Sequence, residues 1–125
     1  LYTCNYAEGV WFTTNNFMIS LKADGIRITL DCNSAVNYEN AIIPEATYSV
    51  DGENGYVINV EGCEVANEDG KNPIYSGSVT ITHLEEGYDI YVDVVTTKQH
   101  RIRAQYTGKI SSNQFMGGPV TNPEK

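Results

Sequence analysis

Long apolar runs are missing from this 125-residue sequence. Runs such as Ala41-Ile42-Ile43, three residues long, and Val94-Val95 fall far short of the roughly 20 residues of a membrane-crossing helix and of a secretory h-region. Positive charge is scarce, with eight Lys and Arg against sixteen Asp and Glu and a net charge of −8. A nucleic-acid partner requires a basic footprint that displaces counterions, and anionic lipid requires one too, so neither is expected. Cysteine is sparse. Cys4, Cys32 and Cys63 are spaced by 28 and 31 residues, which matches no CxxC zinc or redox pattern, and no cofactor or metal is expected. Good helix formers such as Ala, Leu, Gln and Lys are few. No segment sustains an apolar stripe at i, i+3, i+4, i+7, so little or no helix is expected.

What is present favours strands. Nine Tyr, eleven Gly and frequent Val, Ile and Thr suit a pleated, half-buried surface broken by turns. The length is that of one domain, large enough to bury a core of its own. Phe17, Ile19 and Leu21 share one face of a strand; after Ala23-Asp24-Gly25, Ile26, Ile28, Leu30 and Cys32 share one face of the next, which makes a hairpin. Tyr48 and Val50 precede the turn cluster Asp51 to Gly55, and Tyr56, Ile58 and Val60 alternate beyond it. Val79 and Ile81 lead through Leu84-Glu85-Glu86-Gly87 into Tyr88, Ile90, Val92 and Val94, and a last strand carries Ile102, Ala104 and Tyr106. Placing Gly25 on Gly87 aligns Ile19 with Ile81, Ile28 with Ile90 and Asp31 with Asp93. Both copies read as strand, four-residue turn, strand and a returning strand with a Tyr, Tyr48 or Tyr106. Duplication and shared hairpin chemistry both account for this. The expectation is an all-β, mainly antiparallel domain of about eight strands, a sandwich or partly open barrel, over residues 1–112. Residues 113–125, with Gly117-Gly118-Pro119 and Asn122-Pro123, read as a linker or flexible C-terminal tail.

The residue types that carry catalysis stand in ordinary settings. Cys32 continues the apolar face of Ile26, Ile28 and Leu30 and reads as a buried, inert thiol; a Cys4–Cys63 or Cys32–Cys63 bridge is the alternative in an oxidising compartment. His83 ends an inward face and His100 follows a turn. Neither has a nucleophile beside it, and Tyr75-Ser76-Gly77-Ser78 lacks the first Gly of a nucleophile elbow. The acid pairs Asp51/Glu53, Glu68-Asp69 and Glu85-Glu86 lie in turns, where carboxylates are solvated, and nothing sets two of them across a cleft. Asn67 to Asn72 surrounds a Gly with oxygen donors but lacks the alternating ligands and closing Glu of a calcium loop.

A binding face is the sharper candidate. Pairing Val94 with Ile102 puts Asp93 opposite Arg103 on the outward side, and Tyr91 then stands among Asp89, Asp93, Arg101, Arg103 and Gln105. An aromatic ring bordered by planar hydrogen-bonding groups suits stacking a sugar and holding its hydroxyls. The ordinary alternative is a polar outer face with a charge ladder. Trp11, beside Phe12 in the first strand, is a second platform, since adjacent residues of a strand point to opposite faces.

The strings Asn16-Phe17-Met18-Ile19-Ser20-Leu21, Leu30-Asp31, Ile43-Pro44-Glu45-Ala46-Thr47-Tyr48, Ser76-Gly77-Ser78-Val79-Thr80-Ile81-Thr82, Gly87-Tyr88-Asp89-Ile90 and Tyr106-Thr107-Gly108-Lys109-Ile110 resemble the β-rich repeat domains of Bacteroidetes exported lipoproteins. The resemblance spans about residues 5 to 112 and departs from the pattern at Glu45-Ala46, where a Gly usually precedes Thr-Tyr. It implies an exported domain of the periplasm or outer-membrane surface of a Gram-negative bacterium, without established activity or catalytic residues. Leu1-Tyr2-Thr3-Cys4 places Leu as a lipidation site would, but Tyr and Thr fit it badly, so Cys4 reads as an ordinary strand cysteine and any lipid anchor as lying outside this chain. The expected function is a non-catalytic structural module, or one that binds glycan or another envelope protein. A small-molecule carrier, its cavity lined by Tyr48, Tyr56, Tyr88 and Tyr106, is the alternative, and a hydrolase a more distant one.

Overall fold

The computed structural model describes residues 1–12, 15–36, 42–110 and 112–115, the side chains of 9–12 and 112–115 excepted. Alternation of apolar and polar residues drives almost all of it into strands. They are β1 (Tyr2–Cys4), β2 (Tyr6–Phe12), β3 (Asn16–Ala23), β4 (Ile26–Asn33), β5 (Ala46–Ser49), β6 (Val57–Ile58), β7 (Glu64–Asn67), β8 (Gly70–Asn72), β9 (Ile74–His83), β10 (Tyr88–Thr96), β11 (Arg101–Gly108) and β12 (Ser112–Phe115), with one 3-10 turn, Val60–Gly62, between β6 and β7. The fold is all-β, as the composition indicates.

The strands form one sheet in the order β1-β11-β10-β9-β5-β6-β4-β3-β2-β12, with the β7–β8 hairpin attached to β4. The two ends of this path meet. β1 and β2 are consecutive, linked at Asn5, whose amide donates to the Lys22 carbonyl at 3.0 Å. β1 runs parallel to β11 with Tyr2 opposite Ala104, and β2 runs parallel to β12 with Val10 opposite Ser112, the same sequence offset in both. The first and last segments of the chain therefore pair lengthwise and curl the sheet into a nearly closed barrel. Asn113, Gln114 and Phe115 of β12 lie within the stretch read as tail, and residues 116–125 lie outside the described residues.

The inward faces make one core. Phe17, Ile19, Leu21, Ile28, Leu30, Cys32, Val79, Ile81, Ile90, Val92, Val94 and Ala104 are buried as their alternation predicts. At its centre Tyr48 meets Phe17 and Tyr56 edge to face, ring centroids 5.3 and 5.4 Å away, the geometry that sets a positive ring edge on a negative face. Its hydroxyl donates to the Pro44 carbonyl at 2.6 Å.

Three local readings are corrected. The turn between β3 and β4 has two residues, since Ala23 faces Ile26, while that between β9 and β10 has four, since His83 faces Tyr88. The first tight turn depends on Gly25 at φ +82°, a conformation other residues rarely adopt. The Asp51–Gly55 cluster closes no hairpin; Ser49 and Val57 pair in parallel across it, and Val60 lies in the 3-10 turn. Asn67 to Asn72 forms the β7–β8 hairpin, with Asn67 opposite Gly70.

Candidate functional site

The β10–β11 pair holds the register that alternation predicts, Val94 opposite Ile102 and Asp93 opposite Arg103. Because Ile90, Val92, Val94, Ile102 and Ala104 point into the core, Asp89, Tyr91, Asp93, Arg101, Arg103 and Gln105 share the outward face. Tyr91 lies mid-face between Thr80 of β9 and Gln105 of β11, and Thr3 of β1 continues the same row. Thr47 of β5 lies beyond Thr80, their hydroxyls 3.2 Å apart. A band of hydroxyl and amide groups thus crosses five strands with one ring in its middle.

The charges on this face are unequally engaged. Arg101 reaches diagonally to Asp93 and donates twice, Nε to Oδ1 at 3.0 Å and Nη2 to Oδ2 at 2.8 Å. That hydrogen-bonded fork holds the Asp93 carboxyl below the usual carboxylate range. Asp89 accepts from Gln105 Nε2 at 2.8 Å and Thr107 Oγ1 at 3.1 Å, both on Oδ1. Arg103, although directly opposite Asp93, is exposed and has no carboxylate within 4.0 Å among the described residues. The charge ladder expected between Asp93 and Arg103 is therefore a diagonal pair with Arg101, which leaves Arg103 open to solvent.

Trp11 does not join this face. Its backbone pairs with Met18 in β2, eight residues along the chain from Thr3, or roughly 25 Å at the rise of an extended strand. Its side chain lies outside the described residues.

No protein-family model, curated protein or solved structure matches the chain.

The groups weighed for catalysis are dispersed or occupied. Nε2 of His83 lies 2.6 Å from the Ile43 carbonyl, and the His83 amide donates to Glu45 Oε1 at 2.8 Å. The Ile43 amide donates to the Tyr88 hydroxyl at 3.0 Å. These contacts tie residues 43–45 across one end of the barrel, with Ile43 fully buried. His100 lies exposed in the β10–β11 turn. Glu68-Asp69 and Glu85-Glu86 lie in turns; Asp51 accepts from the Ser49 hydroxyl at 2.8 Å, and Glu86 pairs with Lys109 at 3.2 Å. Among the described residues no three His, Cys, Asp or Glu side chains converge as a metal site would require. The cysteines are buried and free, with no bridge from Cys63 to Cys4 or Cys32. Cys63 Sγ accepts the Asp31 amide at 3.2 Å, and burial pushes its thiol up to about 11.

Two polar features were not legible in the sequence. Asn16 and Asn59 both donate to Asp31 Oδ1, at 2.6 and 3.1 Å, and both also donate to Asn33 Oδ1. The network ties β3, β4 and the segment after β6, and Asn59 lies too far along the chain for any local pattern to announce it. At the other end of the barrel a groove of about 290 Å³ is lined by Tyr2, Asp24, Gly25, Asn67, Glu68 and Asp69. It exists because the β3–β4 and β7–β8 turns meet there.

Proposed function

We propose that this chain is a non-catalytic binding domain of an exported cell-envelope protein, with the outward face of β10–β11 as its glycan-binding surface. The observation that carries the reading is the register that sets Tyr91, Asp89, Asp93, Arg101, Arg103 and Gln105 on one side of two neighbouring strands. Asp89 and Asp93 are held in place by their neighbours, so the border of the ring is rigid before a ligand arrives, which lowers the ordering cost of binding. The filled interior, with Tyr48 wedged between Phe17 and Tyr56, favours an outer face over the cavity of a carrier. The resemblance to exported lipoprotein repeat domains supports a periplasmic or outer-membrane-surface location, and an envelope protein is the other partner that suits such a face.

A glycan array followed by calorimetric titration of the best hit tests the proposal. Tyr91→Ala is expected to weaken binding at least about tenfold, the loss of about 1.4 kcal/mol, with the strand signal in circular dichroism unchanged. Absence of any hit, or an affinity that ignores Tyr91→Ala, overturns it.

A further inference from the structure

On the face around Tyr91 one charged side chain, Arg103, makes no ion pair among the described residues, although it faces Asp93 and adds its charge to the Arg101 hydrogen bonds in lowering that carboxyl. Arg101 has both ends of its fork on Asp93, at 3.0 and 2.8 Å. Asp89 is occupied by Gln105 and Thr107. Arg103 lies two residues from Arg101 on the same outward edge and is exposed with no carboxylate within 4.0 Å among the described residues. It lies diagonal to Tyr91, whose own partner across the strands is Gln105; in an antiparallel pair such neighbours are about 7–8 Å apart, within reach of long side chains.

From this we infer that the ligand of the face carries an anionic group, a sugar carboxylate, that Arg103 grips while the sugar ring lies on Tyr91. The inference rests on the glycan-binding reading above and adds to it the chemical class of the sugar, a uronate. A guanidinium presents parallel N–H groups that match the two oxygens of a carboxylate, and an exocyclic carboxylate projects from the edge of a pyranose ring by a distance that suits the diagonal from Tyr91 to Arg103. Within the protein the Asp93 carboxylate is forked by Arg101, and Arg103 opposite it acts on Asp93 only through charge. The surrounding carboxylates contribute to selectivity. Asp89, opposite Thr107 at the end of the face away from Arg103, disfavours an anion there and so biases the orientation of the ring. With a net charge of −8 the molecule exerts no long-range attraction on an acidic polymer, so recognition depends on this short-range contact.

The test is titration of the whole chain with oligogalacturonate and oligomannuronate and with the carboxyl-reduced form of each, in which the ring is kept and the charge removed. The acidic oligomers are expected to bind about ten- to hundredfold more tightly than the reduced ones, the range of a hydrogen bond to a charged group. Arg103→Ala is expected to erase that difference, bringing the affinity of the acidic oligomer down to that of the reduced one. Arg103→Lys, which keeps the charge but not the fork, is expected to restore only part of it. Equal binding of acidic and reduced oligomers, lost on Tyr91→Ala, overturns the uronate inference and leaves the glycan reading standing. An acid preference that survives Arg103→Ala places the anion elsewhere and also overturns it. Binding of none of the four oligomers, together with an empty glycan array, overturns both.

Discussion

Cys63 and Arg103 mark opposite outcomes for residues that a sequence presents without context. Cys63 follows no strand pattern, yet it is buried, with its sulfur 3.2 Å from the Asp31 amide. Burial raises its thiol to about 11, so over the interval between an ordinary thiol near pH 9 and that value the folded state holds a proton that the unfolded chain releases. Stability from this group is complete below about pH 9 and is lost as the pH rises toward 11. The difference in unfolding free energy between the native sequence and Cys63→Ala is therefore expected to shrink by about 2 kcal/mol between pH 8 and pH 11 in denaturant titrations. A native Cys63 that reacts with a thiol reagent at pH 8 as fast as free cysteine would show the burial argument to be wrong. For Cys32 the inert, buried reading came from alternation alone, because the apolar face of Ile26, Ile28 and Leu30 simply continues through it. Arg103 could be placed on a face from sequence, but its lack of an acid partner could not be read there. Which diagonal a guanidinium takes depends on sheet twist and rotamer, and both are tertiary properties.

At the scale of elements, hairpins announced themselves and their neighbours did not. The β3–β4 and β9–β10 pairs follow from alternation with a turn between, and the β10–β11 register came out residue for residue. The returning strands went elsewhere. Tyr106 pairs with Ile90 of its own hairpin, whereas Tyr48 lies opposite Val79 of the other one, and β6 fills the place between β4 and β5. The two halves therefore repeat as hairpins but not as three-strand units. A strand's inward face tells what it buries but not beside which strand it buries it. Gly77 marks where such a neighbour matters. It lies in β9 opposite Val94 at φ +132°, and a Cβ there would run into the Asp93 carbonyl and the Cα of Val94. Gly77→Ala is expected to destabilise the fold by roughly 2–4 kcal/mol, through strain and displaced backbone together. It would also move Asp93 and so disturb the Tyr91 face. Gly25→Ala, with nothing within 4 Å of the new Cβ, is expected to cost only about 1 kcal/mol for its positive φ. Equal midpoints for the two variants in urea would contradict the close-approach argument.

For the whole molecule, the decisive contact is of β1 and β2 with β11 and β12. The parallel pairing of β1 with β11 and of β2 with β12 turns an open sheet into a nearly closed barrel and covers an edge that would otherwise offer unpaired backbone groups. Removal of residues after Ile110 deletes β12 and reopens that edge. The shortened chain is expected to melt about 5–10 °C lower, as a loss of one to two kcal/mol would produce in a domain of this size, and to associate more readily through β2. Thermal unfolding and light scattering of the full and shortened chains check this, and an unchanged midpoint would mean that the closure carries no stability.

What the sequence determined by itself was local and two-sided. It set the identity and the inward and outward faces of β3, β4, β9, β10 and β11, the β10–β11 register and the absence of a sustained helical stripe, because side-chain direction alternates with a period of two and hydrophobic burial sorts the faces. What only the tertiary structure decided was which strands are neighbours, that β1 and β2 pair in parallel with β11 and β12, that Asn59 completes a network with Asp31, and that Arg101 rather than Arg103 takes Asp93. Those outcomes depend on contacts between residues far apart in the chain, and the closing of one barrel around one core selects them together.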